Sequence, residues 1–444
     1  MNSAPKKQFG LWTLTFLVVA NMIGSGVFVT SGFSLGDLRS PALVVLAWIV
    51  AGCIAIAGAL SYGKLIRLMP ESGGEYLFLS RAFHPMFGFI AGWVSMFAGF
   101  SAAIAIAALA FEEYALQIEL VADFKLLPGV IAVSAVVLAA LLHGIKVKLG
   151  AAAQNIAVGS KIFLLLAFLA YAAFKLEPSA IKNELEPISG LPLATAFCTQ
   201  LMWIALSYMG FNAAVYIADE VEDAESRIPN ALLLGTTIVV ILYVSLNFVF
   251  VYSTDSANLA GQKVVAGIAA QSLGGAAFKS LFIAIILVAL FTSVTSMMMA
   301  APRVYAKMAD EGMLPGIFRF QNETPIYSIV LQTVLACVIV FMTDLKNLLG
   351  YLGVTLSLCA AASVSTLFLP RFWRGQSPYF LIAPLFYVVA TLLAVFMTVW
   401  YNPFTGGEKS VYAAFITFGV GVVLYLFRTM LLGGTETAVD KKNS

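Results

Sequence analysis

Charged side chains are scarce in this chain. They make up 11% of its 444 residues, against roughly 25% in a typical soluble domain. Hydrophobic residues make up 61%, and the mean hydropathy is +0.94. A soluble globular domain is excluded. The 25 Lys and Arg are nearly balanced by 23 Asp and Glu, so no basic excess points to a nucleic-acid partner. The two histidines, His84 and His143, and the four cysteines, Cys53, Cys198, Cys337 and Cys359, have no metal-ligand spacing. No disulfide framework, metal or cofactor is therefore expected. The long apolar runs hold almost no Asp, Glu or His, so the convergent acids and bases of an enzyme are missing. A membrane-embedded enzyme stays a remote alternative. No cleavable leader is expected either: Lys6 and Lys7 precede a run that is too long and lacks a small-residue cleavage pattern.

What is present is membrane-length apolar sequence. About 20 apolar residues span a ~30 Å hydrocarbon core. Twelve runs approach or exceed that length: 11–35, 42–64, 83–113, 128–147, 152–174, 193–217, 230–253, 277–302, 327–343, 346–370, 380–400 and 411–432. The fold class expected is an all-α polytopic membrane protein with twelve transmembrane helices. Placing the N-terminus inside puts sixteen Lys and Arg on the cytoplasmic side and eight on the other, with Lys161 left inside a run. Basic residues favour the cytoplasmic side, so both termini are expected there, in a multi-pass protein of the cell (inner or plasma) membrane.

Two of the runs are interrupted. In the first, Ile23-Gly24-Ser25-Gly26-Val27-Phe28 sets two glycines and a serine at mid-membrane depth. Glycine weakens a helix, and freed backbone groups in lipid are tolerated only in protein or beside a cavity. Read alone, the cluster fits close helix packing as well as it fits a binding site. In the sixth run, Gly210-Phe211-Asn212 repeats the pattern. Interrupted helices at matching places in two halves mark an inverted repeat. Here the offset is five runs, and an odd number inverts the second half. Repeat 1 is expected over about 11–174 and repeat 2 over about 193–370. Helices over about 380–432 lie outside the repeats, in one membrane domain covering 1–432, with a disordered cytoplasmic tail at 433–444. Facing breaks offer free N–H groups to an anion and free C=O groups to a cation. A zwitterionic amino acid satisfies both.

With these residues in view, the chain resembles the amino acid–polyamine–organocation family of amino-acid permeases. The first motif is similar to that family's span-1 break. Pro70-Glu71-Ser72-Gly73-Gly74-Glu75-Tyr76 resembles its proline, paired-glycine and tyrosine loop. Asp219-Glu220-Val221-Glu222-Asp223, followed by Arg227-Ile228-Pro229-Asn230-Ala231, resembles its acidic stretch and arginine–hydrophobic–proline turn. The stretch from Arg303 to Pro315, with Met308-Ala309-Asp310-Glu311-Gly312, resembles the signature after span 8. The resemblance implies a LeuT-like 5+5 inverted repeat with broken helices 1 and 6, working by alternating access. It implies that Ile23, Gly24, Ser25 and Gly26 hold an amino-acid substrate, with Gly210, Phe211 and Asn212 on the other side. Phe211 matches the aromatic that covers the substrate from outside in related permeases. Spans 3 and 8 contribute Ala102, Ala103 and Met297. Neither offers a carboxylate to a cationic side chain, so a neutral, small to medium amino acid is expected.

Lys161 lies 11 residues past Gly150, roughly 16 Å into the fifth run at 1.5 Å per residue. That depth is long for snorkelling, and intramembrane charges usually face the interior. In the family a lysine follows a glutamine–asparagine pair on span 5, here Gln154-Asn155, and its amine takes the place of a sodium ion. That implies proton-coupled symport or exchange without Na⁺, with protons as a partner. The hydroxyls of Thr292, Ser293, Thr295 and Ser296 keep open the alternative of Na⁺-coupled symport. A non-transporting sensor or subunit is the other remote alternative. Glu220 and Arg227 are candidates for a cytoplasmic gate, although such acidic runs are usually just solvated. Glu112 and Glu113 are expected at the interface. The oligomeric state stays open between monomer and homodimer, and the lipid bilayer is the other partner.

Overall fold

The computed structural model describes residues 9–144, 151–177, 182–183, 185–310, 312–319, 326–400 and 408–431. Among them all regular structure is helical. The expected tail at 433–444 and the side chains of Gln154 and Asn155 lie outside this description.

The helices that position the site are α1 (Leu11–Met22), α2 (Gly26–Leu38), α3 (Pro41–Leu68), α4 (Gly74–Ala82) and α5 (Pro85–Ala115). They are followed by α6 (Val130–Gly144), α7 (Ala151–Lys175), α8 (Gly190–Tyr208), α9 (Ala224–Val251) and α10 (Val265–Asp310). The last four are α11 (Ile326–Met342), α12 (Leu345–Ser365), α13 (Ile382–Trp400) and α14 (Glu408–Leu431). Eight helical segments among the described residues are long and apolar enough to cross a membrane, and nine when the bent pair α1–α2 is counted as one. Val130–Leu142 and Ile326–Met342 are shorter apolar helices.

Several starts are written locally. Ser40 Oγ accepts from Leu43 N–H at 3.4 Å ahead of Pro41. His84 Nδ1 accepts from Met86 N–H at 3.2 Å ahead of Pro85. Asp344 Oδ1 accepts from Asn347 N–H at 2.9 Å. Each side chain takes one of the N–H groups that a helix start leaves without an intrahelical acceptor, and proline at the first position forfeits no bond.

Glu112 is turned into the protein. It is buried, and its two carboxylate oxygens accept from Gly129 N–H at 2.7 Å and Ala132 N–H at 3.0 Å. It thus caps the start of α6 from the end of α5. Glu113 instead pairs with Lys263 at 2.5 Å on the exposed face. Adjacent helical residues point about 100° apart, so one carboxylate turns inward and its neighbour outward.

In the packed interior, α9 runs along α3 and α1, while α8 lies against α2, α3, α12 and α13, and α5 against α6 and α10. Trp48 meets Tyr208 and Tyr243 edge-on, with ring centroids 5.7 Å apart in both pairs. This aromatic group joins α3, α8 and α9 just behind the two helix breaks.

Candidate functional site

The first interruption is a true break. α1 stops at Met22, Ile23 is extended, and α2 begins at Gly26 with its axis bent by 45°. Ser25 makes no side-chain capping bond to α2; its carbonyl accepts from Phe28 N–H at 3.0 Å, and the first N–H groups of a helix have no intrahelical acceptor. The break also frees carbonyls at the end of α1, and two of them find donors on other helices. Tyr243 Oη donates to Met22 O at 2.6 Å. Lys161 Nζ donates to Ile23 O, which Ser293 Oγ also reaches at 3.4 Å. Lys161 is 8% exposed. A cation at a helix C-terminus complements the partial negative charge there.

The second interruption follows Tyr208. Met209 is extended, Gly210 has φ +100°, and the chain resumes as a 3-10 helix over Ala213–Glu220. That φ is left-handed territory that a side chain strains to enter. The two breaks touch. A Cβ on Gly26 would run into Ser207 Oγ and lie 3.0 Å from Ser207 Cβ. A Cβ on Gly210 would lie 2.8 Å from the carbonyl carbon and oxygen of Asn21. The start of α2 therefore abuts the end of α8, and the second break abuts the end of α1.

Beside this junction sits a carboxylate that shows in the sequence only as part of a loop motif. Glu75, on the short α4, is buried. Its Oε1 accepts from Tyr62 Oη at 2.8 Å and from Asn212 Nδ2 at 2.5 Å, and its Oε2 accepts from Tyr216 Oη. Asn212 thus faces Glu75. Three donors from α3, the second break and the 3-10 segment converge on one anion, and each oxygen is already engaged. Ser72 Oγ adds a bond by accepting from Asp219 N–H at 2.9 Å. Glu75→Leu is expected to strand all three donors, at about 1–3 kcal/mol each. The thermal-unfolding midpoint in detergent should fall clearly, and fall less for Glu75→Gln, which keeps an acceptor. Equal midpoints for the leucine variant and the wild type would show that these bonds do not stabilise the fold.

At the opposite end, α2 is tied to α8 and α12. Ser34 Oγ donates to Gln200 Oε1 at 2.7 Å, Gln200 Nε2 donates to Asp37 Oδ2 at 3.0 Å, and Lys346 lies 3.9 Å from Asp37 and over the Trp203 ring at 5.4 Å.

The remaining expected residues fall as follows. Ala102 is buried and Ala103 half-buried, at the end of a π-helical stretch in α5 (Ser95–Ala102), and Met297 is half-buried on α10. All three offer only apolar surface. Phe211 is 2% exposed and does not cover the gap between α1 and α2. Its ring meets Tyr62 at 5.3 Å and Tyr387 at 6.4 Å. The reversal at Gly210 turns it toward α3 and α13, near the end of α3 that carries Lys64 and Arg67. Half-buried Arg227 pairs with exposed Glu222 at 3.5 Å, and Glu220 is exposed. Two further residues at the junction, Tyr243 and Ser207, are not marked in the sequence. Each is one of several polar residues in a mostly apolar helix, with no local signal to single it out.

Comparison with known proteins shows the family. The sequence model of a family described as amino acid permease matches residues 9–425. The large neutral amino acids transporter small subunit 2 of Homo sapiens is 26% identical over 422 residues, covering 91% of this chain and 78% of that protein. The serine/threonine exchanger SteT of Bacillus subtilis (strain 168) is 25% identical over 346 residues, covering 76% and 77%. The b(0,+)-type amino acid transporter 1 of Homo sapiens is 23% identical over 406 residues, covering 88% and 82%.

Proposed function

Because this chain belongs to the amino acid permease family, a family of multi-pass membrane transporters, we propose that it carries neutral, small to medium amino acids by alternating access without Na⁺. The observation that carries this reading is the junction of the two broken helices. The uncapped start of α2 offers N–H groups to a carboxylate, and the ends of α1 and α8 offer carbonyls to an ammonium. Ile23, Gly24, Ser25 and Gly26 form one side and Gly210 the other. A neutral substrate is supported by Glu75, the buried carboxylate beside the second break, being engaged by its own donors. It is supported also by relatives whose names specify neutral amino acids or serine and threonine.

Independence from Na⁺ is supported by the Lys161 amine on Ile23 O. It lies where a bound cation would otherwise neutralise the carbonyls of the break. The nearby hydroxyls of Thr292 and Thr295 donate to their own helix, to Ala289 O and Thr292 O, both at 2.9 Å. Exchange and proton symport both fit this geometry. Counting α6, α7 and α11 with the longer helices gives twelve crossings, with both termini cytoplasmic, in a 5+5 inverted repeat. The protein resides in the cell membrane.

Proteoliposome uptake tests the reading. L-alanine, L-serine or L-leucine should accumulate equally well with Na⁺ or choline outside. Preloading with the same amino acid should speed entry if exchange operates, and an inward proton gradient should do so if symport operates. Uptake that collapses in choline would overturn the sodium-free mechanism. Competition won by arginine or agmatine would overturn the neutral substrate class.

A further inference from the structure

Ser207 stands out among the buried polar residues. It is 4% exposed, and its Oγ has no hydrogen-bond partner. A buried hydroxyl without a partner is unusual and unfavourable. Serine and threonine within a helix commonly return their hydroxyl to a backbone carbonyl of the preceding turn. Thr195 and Thr199 on the same α8 do so, donating to Pro192 O at 2.9 Å and Thr195 O at 3.0 Å. Ser207, in the last turn of α8, points across to α2 instead, against the place where a Gly26 side chain would begin. The unpartnered hydroxyl thus meets the uncapped start of a thirteen-residue helix.

The chemistry that completes both features is the same. Helix-start N–H groups attract an anion, and a hydroxyl donor beside them adds a hydrogen bond to the same group. We propose that Ser207 Oγ is a side-chain donor to the substrate carboxylate, supplied by the second broken helix to a group held by the first. This rests on the transport reading above. Substrate would then bridge α2 and α8 through one carboxylate, one oxygen on the α2 N–H groups and the other on Ser207. The hydroxyl's want of a partner in the substrate-free protein is relieved on binding. The absence of a side chain at Gly26 is what lets the Ser207 hydroxyl reach the start of α2.

A ligand-binding role and a structural one differ in what they do to the substrate-free protein. Removing an unpartnered hydroxyl takes nothing from the fold, so Ser207→Ala should unfold at the wild-type temperature or slightly above it when substrate is absent. Its affinity for substrate should fall about tenfold, the loss of one hydrogen bond to a charged group. The experiment is equilibrium binding to the full-length purified protein, using whichever of L-alanine, L-serine and L-leucine binds best, alongside the amine left when that amino acid loses its carboxylate. The amine has no acceptor oxygen at that end, so its affinity should be the same in variant and wild type.

Unchanged amino-acid affinity in Ser207→Ala would overturn the proposal. So would a lowered substrate-free unfolding temperature, which marks a structural residue. An equal loss for the amine would also overturn it, because the hydroxyl would then serve the ammonium end. Failure of the wild type to bind any of the three amino acids would overturn the transport reading and this proposal with it. Binding by the wild type with no effect in the variant overturns this proposal alone.

Discussion

Gly26→Ala is expected to slow transport severely, while Gly24→Ala should fold normally. The two glycines are separated by one residue in the same motif, yet they meet different surroundings. A Cβ on Gly24 has only Met22 O nearby, at 3.9 Å, an ordinary contact. A Cβ on Gly26 falls on the Ser207 hydroxyl and lies 3.1 Å from the Ser207 Cα. The hydroxyl can swing aside, but the backbone cannot, so α2 and α8 must part. The parting needed is a few tenths of an ångström, and displacing binding groups by about 1 Å costs on the order of 10²-fold in rate. Gly210→Ala should behave like Gly26→Ala for two reasons: its φ of +100° strains any side chain, and the added carbon meets Asn21 at 2.8 Å. Initial uptake rates in proteoliposomes, corrected for the amount of folded protein, check the series. Wild-type rates for Gly26→Ala would mean that the close approach of the two half-helices is dispensable.

Lys161→Ala should be the most damaging single deletion outside the breaks. It removes the charged donor to Ile23 O and leaves a buried carbonyl at a helix end with only the longer Ser293 bond. A hydrogen bond to a charged group is worth about 1.5–3 kcal/mol. That corresponds to roughly a 10- to 150-fold shift between the arranged break and a displaced one. Uptake should fall by a comparable factor in Lys161→Ala, and also in Lys161→Met, which keeps most of the volume and loses the donor. The pair isolates the donor from packing. If the amine stands in for a bound cation, a Na⁺ series against a choline control should restore part of the uptake in Lys161→Ala, which has room for the ion. Wild-type uptake in both variants would remove the role assigned to the lysine.

The features legible in the sequence are those written in backbone chemistry. A glycine cluster inside an apolar run marks either a break or a close approach, and a lysine eleven residues into one has nowhere polar to go except inward. The junction itself is legible because two such runs stand five apart. What stays hidden depends on distant contacts. Glu75 lies between paired glycines and an apolar Tyr76-Leu77-Phe78-Leu79 stretch, and only the fold shows that Tyr62, Asn212 and Tyr216 converge on it. Phe211 has the sequence position of a cover because it is the aromatic next to the break, but the left-handed turn at Gly210 sends its ring toward Tyr62 and Tyr387. Hydropathy places the start of the eighth run, 277–302, beside the kink at Gly275, where φ is +74°, but misplaces its end. The helix continues through charged residues to Asp310. Charge ends an apolar run without ending a helix.

Substrate protection of a cysteine placed at the junction of the two breaks tests most directly whether an amino acid sits there. Ser25→Cys would be made in a background with Cys53, Cys198, Cys337 and Cys359 replaced, and labelled with a small thiol reagent in proteoliposomes. A transported L-amino acid at about ten times its Kd should slow labelling about tenfold, in proportion to the occupied fraction, whereas an amino acid that is not transported should leave the rate alone. Unchanged labelling of a variant that still transports would place the substrate elsewhere and contradict the account.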